Sequence, residues 1–355
     1  MDPFVPGLEG VVAVETEIAE PDRDGGALRY RGVDIRELVG AVPFEQVWGL
    51  LVDGSLGATL DQAEAAPLAT RTGDVLADLQ AATAALAGHW KLGKLIDIEA
   101  SAARADLERI SVAMIDIVAR LAAGDTAATG IAGRMGSLAE RFLTAWRGEA
   151  RADDVRALDT YWICTAEHGL NASTFTARVV ASTGADCAAC LAAAVGALSG
   201  PLHGGAPARV LPMLDAAGAA AGIAGYVRRE LDAGTRLMGF GHRVYRAEDP
   251  RARLLRETAR AIGAPRVALA EAFEQEALAE LARRKPDRVL ATNVEYWSAV
   301  VLDAVGVPAD LAPALFACSR TAGWSAHILE EQRTGRLIRP AARYIGPPAV
   351  SLAAA

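Results

Sequence analysis

Five histidines occur in the chain, and four of them sit among glycines, arginines or hydroxyl residues. His203 lies in Ser199-Gly200-Pro201-Leu202-His203-Gly204-Gly205-Ala206, where flanking glycines let the backbone approach a ligand and an apolar helical run follows. A helix start beside an imidazole lowers its pKa, which suits a neutral ring acting as hydrogen-bond donor or acid. The octapeptide by itself fits a tight helix–helix corner with a capping histidine equally well. His242 lies in Gly239-Phe240-Gly241-His242-Arg243-Val244-Tyr245-Arg246, followed by Asp249-Pro250-Arg251. His168 opens His168-Gly169-Leu170-Asn171-Ala172-Ser173-Thr174-Phe175. His327 falls within a long amphipathic pattern that suits packing, and His89 has no chemistry around it.

One carboxylate stands apart. Thr292-Asn293-Val294-Glu295-Tyr296-Trp297 sets Glu295 in an apolar, aromatic stretch at the start of a helix. Burial there raises a carboxyl toward the range where it works as a base near neutral pH. Alone, it fits equally a first-turn glutamate favoured by the helix dipole. Arginines crowd into 236–266 and 333–343, and planar guanidinium forks suit a small polyanion. Imidazoles that polarise carbonyl oxygens, an acid that removes a carbon-bound proton and a ring of arginines together suit enolisation and carbon–carbon bond formation.

Helices must position these groups. Leu107, Ile110, Met114, Ile117, Val118 and Leu121 fall at steps of three and four, forming one apolar stripe over 101–123. Similar patterns predict helices over 36–53, 74–88, 130–147, 152–166, 186–198, 219–233, 265–284 and 309–332. The 186–198 run is apolar nearly all round, as in a buried helix. Strand character is confined to the first thirty residues, where 11–16 and 27–30 flank the turn signal 22–26 and predict a hairpin. Asp34 then marks a helix start. Strands and helices do not alternate, so the fold class is all-α with a small N-terminal β-hairpin.

Composition narrows the function. The 355 residues are 52% hydrophobic and 23% charged, enough for a large core, and the net charge of −8 argues against a nucleic-acid or acidic-membrane partner. The most apolar stretch, Cys187 to Leu198, falls well short of the roughly 20 residues of a membrane span, and the first residues have no basic segment followed by an apolar one, so a signal peptide is not expected. A cytoplasmic location is expected. Four scattered cysteines do not make a disulfide framework, and Cys187-Ala-Ala-Cys190 reads as buried thiols rather than a metal site.

These motifs resemble the citrate synthase family, including its 2-methylcitrate synthase branch. The match begins with Gly7-Leu8-Glu9-Gly10-Val11-Val12 and Tyr30-Arg31-Gly32-Val33-Asp34-Ile35. It runs through the three histidine motifs and Asp249-Pro250-Arg251 to Arg320-Thr321-Ala322-Gly323-Trp324 and Arg336-Leu337-Ile338-Arg339-Pro340. The resemblance is nearest to the shorter bacterial enzymes of the family. It implies a two-domain helical fold, with 1–204 and 307–355 forming a large domain and 205–306 a small one that closes over the site. It implies that His203 hydrogen-bonds the thioester oxygen of acetyl-CoA, Glu295 takes the methyl proton, and His242 protonates the keto oxygen of oxaloacetate. His168, Arg251 and Arg320 match oxaloacetate-binding positions. Arg339 matches the arginine that reaches across a homodimer. Leu237, Met238, Gly239, Gly241, Arg246 and Asn293 resemble the coenzyme A side. No metal and no cofactor beyond the acyl-CoA substrate is implied.

One residue departs from the family pattern: the base is usually aspartate, and here it is Glu295. The extra methylene moves the carboxylate by roughly 1 Å unless neighbours yield, and misplacement of that size costs about a hundredfold in rate. Three readings follow. The first is a citrate synthase in which Tyr296 and Trp297 repack around the longer acid. The second is a 2-methylcitrate synthase that uses propionyl-CoA. The third is a weakly active paralogue that senses ligand.

Overall fold

The structure is a computed structural model that describes residues 4–22, 24, 26–60, 66–68, 71–124, 130–203, 207–241, 245, 248–288 and 290–349. Fourteen α-helices and one three-stranded sheet are found among them. The sheet is antiparallel, in the order β1 (Ala19–Asp22), β2 (Ala27–Tyr30), β3 (Val33–Asp34). The predicted hairpin forms, but with a different first strand. The tight turn pairs Asp22 with Ala27 and Ala19 with Tyr30, so register is set next to the turn. Residues 11–16 find no partner strand, and Val12 is 85% exposed.

Asp34 caps α1 (Ile35–Leu38) as predicted, its carboxylate accepting from the Arg36 backbone N–H at 3.0 Å. The run expected over 36–53 is broken there. Gly40 turns the chain at φ +77°, and Pro43 starts α2 (Phe44–Asp53). The helix expected from 130 begins only at α5 (Leu138–Arg147), because Gly130, Gly133 and Gly136 all take positive φ and Ser137 provides the cap. Between them lie α3 (Val75–His89) and α4 (Ala100–Ala122). In α4, Leu107, Ile110, Met114, Ile117 and Val118 are wholly buried, each contributing about 1.5–3 kcal/mol relative to exposure.

Four helices come next. They are α6 (Ala152–Thr165), α7 (Ala172–Ala181), α8 (Cys187–Leu198) and α9 (Pro207–Gly218). None of the residues of α8 is exposed, in keeping with its apolar pattern. The run expected over 219–233 starts late, at Ile223 after Gly222, as α10 (Ile223–Asp232). There follow α11 (Pro250–Ala261), α12 (Val267–Arg284), α13 (Val294–Ala304) and α14 (Ala312–Thr334). Helices α7 and α11 were not predicted. The first is rich in Ser, Thr and Val, which hold a helix weakly, and depends on its Asn171 cap and on packing against α8 and α14. The second does carry a start signal, Asp249 as cap with Pro250 in the first turn.

Helix α14 runs through the middle of the molecule, against α2, α4, α6, α7 and α8. Helices α9, α10, α12 and α13 pack on one another, while α11 and α13 meet α6. The tail beyond Gly335 is without regular structure and mostly exposed.

Candidate active site

Three turns of α14 form one wall of the site. Phe316, Arg320 and Trp324 recur every four residues, so they share one face. The Phe316 ring meets the His203 imidazole edge-on at 6.4 Å and lies under the Arg320 guanidinium at 4.7 Å. Trp324 donates from Nε1 to Ser173 Oγ at 3.2 Å. The same Ser173 Oγ lies 2.8 Å from His203 Nε2 and donates to Asn171 Oδ1 at 2.8 Å. Asn171 is fixed in turn as the cap of α7, accepting from the Thr174 N–H. His203 is thus anchored through one ring nitrogen by a serine that two other residues hold. It lies not in the first turn of a helix, as expected, but in a turn between α8 and α9 closed by its N–H on Gly200 O at 2.9 Å.

The second wall comes from α11 and α13. Asp249 caps α11 and grips the Arg251 guanidinium with both oxygens, at 2.9 and 2.8 Å. It also accepts from the Val294 N–H at 3.0 Å, so one carboxylate joins the starts of both helices. Burial alone would lower the Arg251 pKa, but the Asp249 charge and hydrogen bond outweigh it and hold the pKa above its ordinary value. Among the described residues Arg320 has no such clamp. Its Nε donates to Thr165 O at 2.7 Å, and burial takes its pKa down while the charge of Glu167 opposes. Burial holds the Tyr30 hydroxyl above its ordinary pKa, against the pull of Arg251 and Arg320, whose charges repel one another.

Glu295 occupies the first turn of α13, beneath the Asn293 cap. Burial pushes its carboxyl up to about 7, against the pull of Arg251 and Arg236 and with a push from Asp249. Burial outweighs the helix dipole, and this acid changes charge near neutral pH. Tyr161, on α6, feels both Glu295 and Arg320. His168 Nε2 meets the Tyr245 hydroxyl at 3.1 Å, and the Tyr245 ring lies 5.9 Å from the Arg251 guanidinium carbon. His168, His203, Arg251, Arg320 and Glu295 are therefore linked through shared neighbours.

Other predicted residues lie as follows. Gly239 and Gly241 have φ of +86° and +88°, and a Cβ on Gly239 would stand 2.6 Å from that of Tyr296. That close approach ties the loop to α13, as do Asn293 N–H on Gly239 O and Asn293 Nδ2 on Gly241 O. The Asn293 side chain is thereby committed to the loop, Leu237 is buried and Met238 half-buried. Arg339 is exposed on the tail, which Ile338 N–H pins to Ser182 Oγ. His242 and Arg246 lie outside the described residues. Sequence reasoning missed Ser173, Tyr245, Asp249 and Tyr30 as supports, although all four stand within its motifs. No group of three or more His, Cys, Asp or Glu able to hold a metal occurs among the described residues.

Comparison with known proteins agrees across the chain. The family model described as citrate synthase, C-terminal domain, matches residues 7–341. The Mycobacterium tuberculosis protein named "Putative citrate synthase 2" is 57% identical over 348 residues, spanning 97% of this chain and 93% of that protein. Citrate synthase of Haloferax volcanii is 35% identical, over 96% and 95% of the two chains. Among solved structures, the ternary complex of Thermoplasma acidophilum citrate synthase with carboxymethyl coenzyme A and oxaloacetate superposes with a TM-score of 0.82. Its identity is 27%, and all of both chains is covered.

Proposed function

The chain belongs to the citrate synthase family of condensing transferases, and we propose that it joins acetyl-CoA to oxaloacetate and releases citrate and free coenzyme A. The observation that carries this reading is Glu295, a carboxyl that titrates at about 7 beside the buried guanidinium of Arg251. A carboxylate of that basicity removes a proton from the acyl methyl only if the thioester oxygen is polarised at the same time. In this reading the Ser173 hydroxyl turns its hydrogen from Asn171 to His203 Nε2, so the neutral ring carries its proton on Nδ1 and donates it to that oxygen. The enol carbon then bonds to the keto carbon of oxaloacetate, whose oxygen takes a proton from His242. Water cleaves the citryl thioester, and the thiol leaves as free coenzyme A.

Arg251, Arg320 and His168 clamp the oxaloacetate carboxylates. Leu237, Met238, Gly239, Gly241 and Arg246 face coenzyme A, with Asn293 holding their loop. Residues 205–306 act as a small domain closing on the rest, a division supported by the mutual packing of α9, α10, α12 and α13. The reading includes a homodimer in which Arg339 of one chain completes the other's site, supported by its exposure on an extended tail. It includes a cytoplasmic location, in keeping with four free, buried cysteines. Acetyl-CoA is a substrate here, and the reading calls for no cofactor or metal.

The test is thiol release, followed with a thiol-reactive dye, from acetyl-CoA and oxaloacetate by the purified protein. Turnover that needs both substrates is expected, with propionyl-CoA the poorer donor. Absence of thiol release with either donor would refute the proposal.

A further inference from the structure

Behind the Arg320 wall lies a buried polar chain that the proposed chemistry does not use. Arg178, on α7, donates from Nη1 to Glu330 Oε2 at 2.6 Å and from Nε to Glu331 Oε2 at 2.8 Å. Its Nη1 also meets His327 Nδ1 at 2.9 Å. A guanidinium has no lone pair, so Nδ1 is the acceptor and the ring proton sits on Nε2. That nitrogen faces Glu167 Oε1 at 3.3 Å. Glu167 and His327 are both 0% exposed. The other Glu167 oxygen has no hydrogen-bond partner among the described residues and lies against Gly323, where a Cβ would overlap it.

The chain has a register. Thr165 O receives Arg320 Nε at 2.7 Å, Ala166 O receives the Gly323 N–H at 3.1 Å, and the Glu167 carboxylate receives His327. Three consecutive residues are thus matched to 320, 323 and 327, steps of three and four along one face of α14. The next residue in the loop is His168. A slip of the loop along α14 would carry His168 away from Arg320. Apolar side chains would fill this volume without the desolvation cost of buried charge, so packing alone does not call for the network.

We propose that Glu167, His327 and Arg178 are positioning residues that lock residues 165–168 in register on α14, and so set the spacing of His168 and Arg320 for the dicarboxylate substrate. The inference rests on the functional reading above, in which those two residues hold oxaloacetate. It assigns His327, a residue whose sequence pattern suits mere packing, a specific hydrogen-bonding part.

His327→Leu and His327→Gln test it without changing charge. Leucine fills the space but neither donates nor accepts. The glutamine amide carries one acceptor and one donor at a spacing close to that of the ring nitrogens. Loss of a buried hydrogen-bond pair of this kind is expected to raise the KM and the calorimetric Kd for oxaloacetate about tenfold in His327→Leu. The KM for acetyl-CoA should stay within about twofold, and His327→Gln should restore oxaloacetate binding to within about threefold of the unaltered protein. An equal rise in both KM values, no rise, or failure of a folded glutamine variant to rescue would overturn the proposal. Should the leucine variant not fold, Arg178→Lys serves in its place. It keeps the charge but offers a single nitrogen where the guanidinium reaches Glu331 from Nε and Glu330 and His327 from Nη1, and a smaller rise, again for oxaloacetate alone, is expected. The functional reading stands or falls separately, on thiol release by the unaltered protein.

Discussion

Glu295→Gln separates what the site needs from what the fold prefers. Burial raises the Glu295 carboxyl from 4.5 to about 7, so the folded protein binds this proton more tightly than the unfolded chain does. The sign follows directly. The group's contribution to stability is whole below pH 4.5 and is lost as pH rises through 7, where the folded protein must carry a poorly solvated charge. Between those limits the loss is about 3 kcal/mol, a large share of the net stability of a typical domain. Glutamine keeps the shape and carries no charge at any pH. We therefore expect the variant to melt at a higher temperature than the unaltered protein at pH 8, with the gain shrinking through pH 6 and absent at pH 4.5. Thiol release should fall by at least about a hundredfold, because nothing else at this position takes the methyl proton. In the unaltered protein kcat/KM for acetyl-CoA should fall about tenfold per pH unit below 7, since only the deprotonated acid acts. The measurements are thermal unfolding across pH and steady-state thiol release. A pH-independent gain in melting temperature, a loss at pH 8, or retained turnover would refute the assignment of this group as a buried, catalytically competent base.

Ser173→Ala removes the anchor of His203 and leaves the buried Trp324 indole N–H without its acceptor. The expected result is a fall in kcat of about tenfold or more and a loss of about 1–3 kcal/mol on denaturation. Gly323→Ala places a methyl within 2.7 Å of Ala166 O and into the Glu167 carboxylate. It should cost about 1–3 kcal/mol and raise the KM for oxaloacetate, as read by urea unfolding and initial rates.

Helices whose pattern repeats every three or four residues were legible in the chain alone. The stripe from Leu107 to Val118 is an example, because its burial depends only on which side of one helix faces inward. Breaks in helices were less legible. Gly40 and Pro43 divide what the apolar pattern joined, and Gly130 to Gly136 delay α5, since local backbone geometry overrides a hydrophobic repeat. The Val-rich stretch at 11–16 has strand propensity, but a strand needs a partner, and the turn at 22–27 gave that partner to Ala19–Asp22.

The types of the site residues, and the motifs that hold them, came from the sequence by itself: His168, His203 and Glu295 could be singled out because their chemistry is written in the side chain and its near neighbours, and Arg251 and Arg320 because they match positions of the family that the motifs resemble. The replacement of the family's aspartate by Glu295 was equally plain there. Only the tertiary structure decided how those groups behave. The pKa of Glu295 near 7 arises from desolvation, which depends on the helices that pack against α13. The contrast between a clamped Arg251 and a loosely held Arg320 arises from Asp249 and Thr165. The match of residues 165–167 to 320, 323 and 327 joins segments more than 150 positions apart. Local sequence specifies a helix face because its neighbours are covalently fixed, whereas electric fields and hydrogen-bond partners at a buried site are set by whichever elements the packing of the whole chain delivers there.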